Sequence, residues 1–331
     1  MRRRPLATAA LAVVLLGGLA ACGDDDQAKA DTAPAGTVTI GAQAGGIAKP
    51  TELKVDKQQA IADLVPEAIK SDGKLTIGLG ALPTGFPPLA FVGDDDKTFT
   101  GAEPDLGRLV AAVLGLKPEF NNDTWDNLFV GLDSGKNEVG FSNITDTEQR
   151  KEKYDFASYR QDNLGFAVKA GNSWNFDKNY QNLAGLKVAV GAGTNQEKIL
   201  VAWQEKLKAE GKTLDIKYFA DTPSTFKAIV SGQIDGYFGP NPGIAYQISK
   251  TKGTADEVRN AGVYSGAGAS MQGLIAATTK KDNGLVKALA AAINYLIQTG
   301  QYKQWLAAYN LDTEAVDSSA VNPPGLPKSN A

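Results

Sequence analysis

The sequence predicts an α/β fold of two lobes with mostly parallel sheets. Short apolar runs alternate with amphipathic stretches from about residue 57 to residue 309, the pattern left by helices laid over sheets. The alternation falls into two βα series broken near Gly171, each too short for a large barrel. A cleft between such lobes lies outside the carboxyl ends of the strands.

The N-terminal residues predict export. Arg2, Arg3 and Arg4 precede an apolar run over 6–19, and Leu19-Ala20-Ala21-Cys22 follows. This is the layout of a signal peptide over 1–21. The run is shorter than the ~20 apolar residues that cross a bilayer. Leu-Ala-Ala-Cys looks like a bacterial lipobox, which makes Cys22 the expected lipidated residue and the anchor to the outer face of the cytoplasmic membrane. More than one acyl chain makes such an anchor stable. Residues 22–56, rich in Asp, Ala, Gly, Thr and Pro, read as a flexible tether.

Regular structure is expected from a helix over 57–70, with Ile61, Leu64, Val65 and Ile69 on one face. A strand over 75–78, helices over 105–114 and 125–132 and strands over 138–141 and 164–168 follow. The second series reads strand 186–190, helix 196–209, strand 214–219, helix 222–231 and strand 234–238. A strand over 272–278 and helices over 283–299 and 302–309 close the pattern. Pro323, Pro324 and Pro327 mark 313–331 as a disordered tail. The expected division is lobe one over 57–167 with a return over 273–312, and lobe two over 168–272. The hinge is expected at two crossings, near Val168-Lys169 and Gln272-Gly273.

Composition excludes several chemistries. The 331 residues contain no histidine and one cysteine, so no disulfide forms within the chain and no nucleophile–base pair is visible. No metal-ligand cluster appears: Asp94-Asp95-Asp96 lacks the later Gly and Glu of a calcium loop. The Gly-rich stretch 262–273 lacks a phosphate-loop Lys-Ser/Thr, and no cofactor is expected. With 34 basic against 37 acidic residues there is no basic patch for nucleic acid.

Two segments suit anion capture. Arg150 follows Thr145 by five residues at a strand–helix turn. Its planar fork matches a carboxylate with two parallel hydrogen bonds, and the Thr145 hydroxyl adds a donor. A solvated arginine in the charge run 148–153 is the other reading. Gly193-Thr194-Asn195-Gln196 leads from a strand into a helix, whose free N–H groups and dipole favour an anion. An ordinary helix cap is the alternative there.

Several short segments together resemble one family. They are Gly73-Lys74-Leu75, Phe86-Pro87-Pro88, Gly101 with Asp105-Leu106, Leu114-Gly115 and Trp125. In order there follow Thr145-Asp146-Thr147 with Arg150, Asp155-Phe156, Gly193-Thr194-Asn195-Gln196-Glu197 and Gly232-Gln233-Ile234-Asp235-Gly236. Over about 73–309 the chain is similar to the extracellular solute-binding proteins of family 3, the polar amino-acid-binding group of ABC importers. The resemblance implies the two-lobe type II periplasmic-binding-protein fold, its cleft between lobes joined by a two-strand hinge. It implies a monomer that captures a small carboxylate-bearing solute by cleft closure and delivers it to an ABC permease.

The resemblance also implies site roles. Arg150 and Thr145 would hold the ligand's α-carboxylate, with Thr194, Asn195 and Gln196 opposite. Phe86 and Trp125 would sandwich its side chain, and Asn143 would add a polar contact. One departure stands out. The family commonly places an Asp for the ligand's ammonium five residues after the position of Asp235, and here that residue is Pro240, followed by Asn241; the family's other frequent acid, before Phe86, is Pro83. Either Asn241 takes the role together with an acid elsewhere, or the ligand is not a plain amino acid. Phe86, Trp125, Tyr237 and Phe238 would then suit a cage for an alkylated ammonium. A cyclic carboxylic acid dehydratase on the same fold and a lipid-anchored solute sensor are the rival readings.

Overall fold

The computed structural model describes residues 36–328. The expected signal peptide, Cys22 and the tether up to residue 35 lie outside the described residues, as do the last three residues of the tail. A hairpin of β1 (Thr37–Ile40) and β2 (Thr51–Lys54) opens the fold. The second half of the expected tether is therefore ordered, because Ile40, Leu53 and Val55 are buried in the core of the first lobe. The expected helix over 57–70 is two short ones, α1 (Gln59–Ala62) and α2 (Glu67–Lys70). Pro66 separates them, lacking the N–H and clashing with the preceding turn.

The first lobe continues with β3 (Lys74–Leu79), the short hairpin β4 (Phe91–Val92) and β5 (Phe99–Thr100), and α3 (Ala102–Leu114). Then come β6 (Lys117–Asn122), α4 (Trp125–Ser134) and β7 (Val139–Gly140). Strand β3 pairs in parallel with β6 and β7, as a βα series requires. The apolar face of α3 (Leu106, Leu109, Val110, Val113) is fully buried.

The 16-residue strand β8 (Tyr154–Lys169) passes from one lobe into the other. The second lobe then follows as β9 (Lys187–Ala189), α5 (Asn195–Ala209), β10 (Asp215–Lys217), α6 (Thr222–Val230), β11 (Gly236–Pro240), α7 (Asn241–Thr251) and β12 (Val258–Ser265). β13 (Gly273–Lys280) returns to the first lobe, where α8 (Val286–Thr299) and α9 (Gln301–Ala308) complete its core. The main sheet runs β10-β9-β11-β8-β13-β7-β3-β6, with β12 also paired to β8.

That sheet is mixed rather than mostly parallel. β8 pairs antiparallel with β13 through Asp162 and with β12 from Asn163 onward. The first crossing is therefore at Asp162–Asn163, earlier than the expected Val168-Lys169, and the second lies opposite it at Gly273. A single strand can serve both lobes because its pairing partner changes while its own extension continues.

The tail over 313–328 is not disordered. Asn322 donates to Phe156 O at 2.8 Å, and Ala320 O accepts from Ser158 N at 3.0 Å, so the segment lies along β8. The Glu314 carboxylate is buried against Arg160, and Leu326 is buried in the second lobe's apolar cluster. Prolines limit backbone hydrogen bonding without preventing an extended segment from packing on an edge.

Candidate functional site

A cavity of about 360 Å³ lies between the lobes. It is lined by the ends of strands and the starts of the helices that follow them. Gly80 and Ala81 follow β3, Ser142 and Asn143 follow β7, and Val190 and Gly191 follow β9. Glu103, Trp125, Asn195 and Thr222 stand at the starts of α3, α4, α5 and α6. This is the crevice position expected of open α/β sheets.

Local sequence sets these helix starts. Gly101 precedes α3 at φ 113°, and a Cβ there would lie 2.4 Å from Leu89 O. Thr124 and Thr194 cap α4 and α5 through Asn127 N and Glu197 N, and Asp221 Oδ1 accepts from Ser224 N at 2.7 Å to cap α6.

Of the residues singled out in the sequence, Phe86, Trp125, Asn143, Thr194, Asn195 and Gln196 line this cavity. Arg150 instead borders an adjoining groove that shares Trp125, Thr194 and Asn195 with it. Its guanidinium carbon sits 5.4 Å from the Trp125 ring and 5.2 Å from that of Phe129. It donates to Thr145 O at 3.0 Å and, across the lobes, to Gly193 O at 3.3 Å. Trp125 Nε1 donates to the same carbonyl, also at 3.3 Å. Burial pulls the Arg150 pKa down to about 10, opposed by the charges of Asp162, Tyr154 and Asp146.

Thr145 lines neither the cavity nor the groove. Its hydroxyl donates to Asp162 Oδ2 at 2.7 Å. Asn195 Nδ2 donates to the same oxygen at 3.1 Å and to Gly266 O at 3.0 Å. At the start of α5, Glu197 Oε2 accepts from Gly193 N at 2.6 Å, so one of the N–H groups expected to face an anion already holds a carboxylate.

Asn241 does not line the cavity. Pro240 lines the cavity, whereas Asn241 Oδ1 accepts from Asn260 Nδ2 at 3.1 Å. The reason is geometric: β11 ends and α7 begins between these residues, turning Asn241 away. Of the four rings proposed as a cage, Phe86, Trp125 and Tyr237 line the cavity, but Phe238 is fully buried, stacked on Phe166 with ring centroids 4.4 Å apart. The Phe86 ring also reaches the other lobe, where a Cβ on Gly243 would lie 2.7 Å from it.

Sequence reasoning missed the acids of the site. Glu103, Asp126 and Asp221 line the cavity. Below it, Arg160 lies between Glu103, at 3.2 Å, and Glu314, and also donates to Asn143 Oδ1. Burial pushes the carboxyls of Glu103, Glu314 and Asp162 up from their ordinary range, against the pull of Arg160. Asn143 adopts φ 50°, a left-handed conformation that Asn tolerates. Glu103 had a signal, two residues before Asp105 in a helix start; Asp162 had none. Among the described residues no acidic or cysteine cluster suits a metal ion.

Residues 79–312 match the bacterial extracellular solute-binding proteins, family 3. The chain belongs to this family. The family 3 relatives include the L-cystine-binding protein TcyJ of Escherichia coli, 30% identical over 233 residues, covering 70% of this chain and 80% of that one. The arginine-binding protein ArgT of Corynebacterium glutamicum is 29% identical over 275 residues, covering 82% and 85%. Among solved structures, an ancestral arginine-binding protein bound to arginine aligns with TM-score 0.61 and 25% identity, over 72% of this chain and 98% of that one. An ancestral amino acid-binding protein, a precursor of cyclohexadienyl dehydratase, gives 0.60 and 26%, over 73% and 97%. The fold is thus the two-lobe type II periplasmic-binding-protein fold. Family 3 members of this kind are amino-acid-binding components of ABC importers, extracytoplasmic proteins rather than enzymes. No described helix is long and apolar enough to cross a membrane.

Proposed function

We propose that the chain captures a small carboxylate-bearing solute, an amino acid or a close analogue, in the inter-lobe cavity and delivers it to the permease of an ABC importer. The observation that carries this is the wall where Arg150, Trp125 and the start of α5 meet across the lobes at Gly193 O. A guanidinium and a helix N-terminus converging beside aromatic rings suit a carboxylate attached to a compact side chain. The names of the cystine- and arginine-binding relatives support the same class. Closure of the two lobes over the solute presents a new surface to the permease without a covalent step. The lipobox reading places the protein on the outer face of the cytoplasmic membrane through Cys22.

A thermal-shift screen of the full chain carrying Cys22→Ser, against amino acids, betaines, opines and dicarboxylates, tests the reading. A ligand at a hundred times its dissociation constant adds about 2.7 kcal/mol to the folded state. A raised melting temperature with amino acids or other carboxylates is the expected result; no response to any of them rejects it. Lipid labelling that persists in Cys22→Ser would reject the anchor separately.

A further inference from the structure

Two of the side chains expected to face a ligand's carboxylate instead hold a carboxylate of the protein itself. Thr145 Oγ1 and Asn195 Nδ2 converge on Asp162 Oδ2, at 2.7 and 3.1 Å. Thr145 belongs to the first lobe and Asn195 to the start of α5 in the second, while Asp162 sits on β8 where the strand crosses between them. Asp162 is 1% exposed, and it is one of the charges acting on Arg150.

The neighbouring backbone leaves room for this arrangement. A Cβ on Gly266 would lie 1.7 Å from Asp162 Oδ2, so any other residue there would displace the carboxylate. Gly266 N donates to Asp162 O at 2.9 Å, which holds the two segments together. A buried carboxylate must find donors, and here it takes a hydroxyl and an amide that the family resemblance assigns to the ligand's carboxylate.

We propose that Asp162 is a specificity-determining residue: it fills part of the carboxylate subsite, so that the cargo's own carboxylate is left to Arg150 and the remaining N–H groups of α5. The ammonium end differs as well from what the resemblance implies, since Pro240 stands where an acid is expected. A site changed at both poles selects its solute mainly by the groups seated among Phe86, Trp125 and Tyr237. Carboxylate recognition is then weak, and removing Asp162 restores it. This rests on the reading of the cavity as a solute site.

The test compares matched probes that differ only in a carboxylate: L-arginine with agmatine, L-lysine with cadaverine, and L-phenylalanine with phenethylamine. Titration calorimetry on the full chain should show less than about tenfold preference for the amino acid within any pair that binds, and Asp162→Ser should raise that preference to roughly 10- to 100-fold. Gly266→Ala, which evicts the carboxylate by another route, should move the preference the same way. Asp162→Asn, which keeps the shape and removes the charge, should give an intermediate shift, whereas a merely structural role would lower stability without changing the ratio. Strong preference for the amino acid in the parent chain, or an unchanged ratio in both Asp162→Ser and Gly266→Ala, overturns the proposal while leaving solute binding intact. A chain that binds no member of any pair in parent or variant form overturns this proposal and not the wider reading, which the broader screen decides.

Discussion

In the proposed reading carboxylate capture falls to Arg150, because the cavity lining contains no lysine or arginine among the described residues. Its two donors reach backbone carbonyls, Thr145 O and Gly193 O, which a ligand's anionic oxygens can replace. Arg150→Ala should weaken binding of a carboxylate ligand by up to about tenfold, about 1.4 kcal/mol, and leave the matched amine without a carboxylate unaffected, measured by titration calorimetry. Nearby, the Asp146 side chain is wholly buried, and burial raises its carboxyl to about 7 despite Lys151 at 3.3 Å. A carboxyl raised in the folded state adds stability below its unfolded pKa and loses that contribution as pH climbs through the folded value. Between pH 4 and 8 the stability difference should therefore move in favour of Asp146→Asn, by about 2–4 kcal/mol. Urea titrations at several pH values check the slope, and a difference independent of pH rejects the assignment. Residues of this kind differ in how readable they are. Phe86, Trp125 and Asn143 stand in ordered short segments that predicted the cavity. The Asp162 and Glu314 partnerships join positions far apart in the chain, and no local pattern records them.

Elements were legible where periodicity and caps agreed. The apolar stripe of α3 and the capped start of α5 predicted those helices to within three residues at either end. The misses have physical causes. Pro66 splits what periodicity reads as one helix, and the α7 sequence opens with Asn241-Pro242-Gly243, which looks like a turn although Pro is well tolerated in a first helical turn. β6 carries Pro118 and two asparagines at an edge that is only half-buried, so its alternation is faint. The β1–β2 hairpin was hidden in a small-residue segment, and its few apolar residues carry its attachment. Leu53 is 2% exposed within the first lobe's core, and Leu53→Ala should cost about 2–5 kcal/mol. The exposed neighbour Lys54 should tolerate alanine within about 0.5 kcal/mol. Urea unfolding of both variants separates a docked hairpin from a loose one: equal, near-zero effects would mean the hairpin contributes nothing to the core.

Over the whole molecule, the two-lobe plan followed from the two βα series, while the route of the chain between lobes did not. A strand that changes partners at Asp162 and Asn163 reads, in sequence, only as the short apolar run 164–168 that closes the first lobe ahead of the expected crossing. The tail is the larger surprise, because it lies beyond the matched family segment and touches both lobes. Leu326 N donates to Asp146 O at 3.2 Å and its carbonyl accepts from Glu148 N at 3.0 Å, both in the first lobe. The Leu326 side chain is buried in the second lobe's cluster, and Lys198 of α5 reaches Pro327 O at 3.4 Å. A segment fastened this way must detach on one side before the lobes separate widely. Leu326→Ala should therefore open the ligand-free chain, raising its radius of gyration in small-angle scattering. Leu109→Ala, at an equally buried site within the first lobe, serves as the control. Both changes should cost about 2–5 kcal/mol of stability, but only the first should expand the particle while it remains folded. Equal scattering from the two variants would mean that the tail rides on the lobes without holding them together.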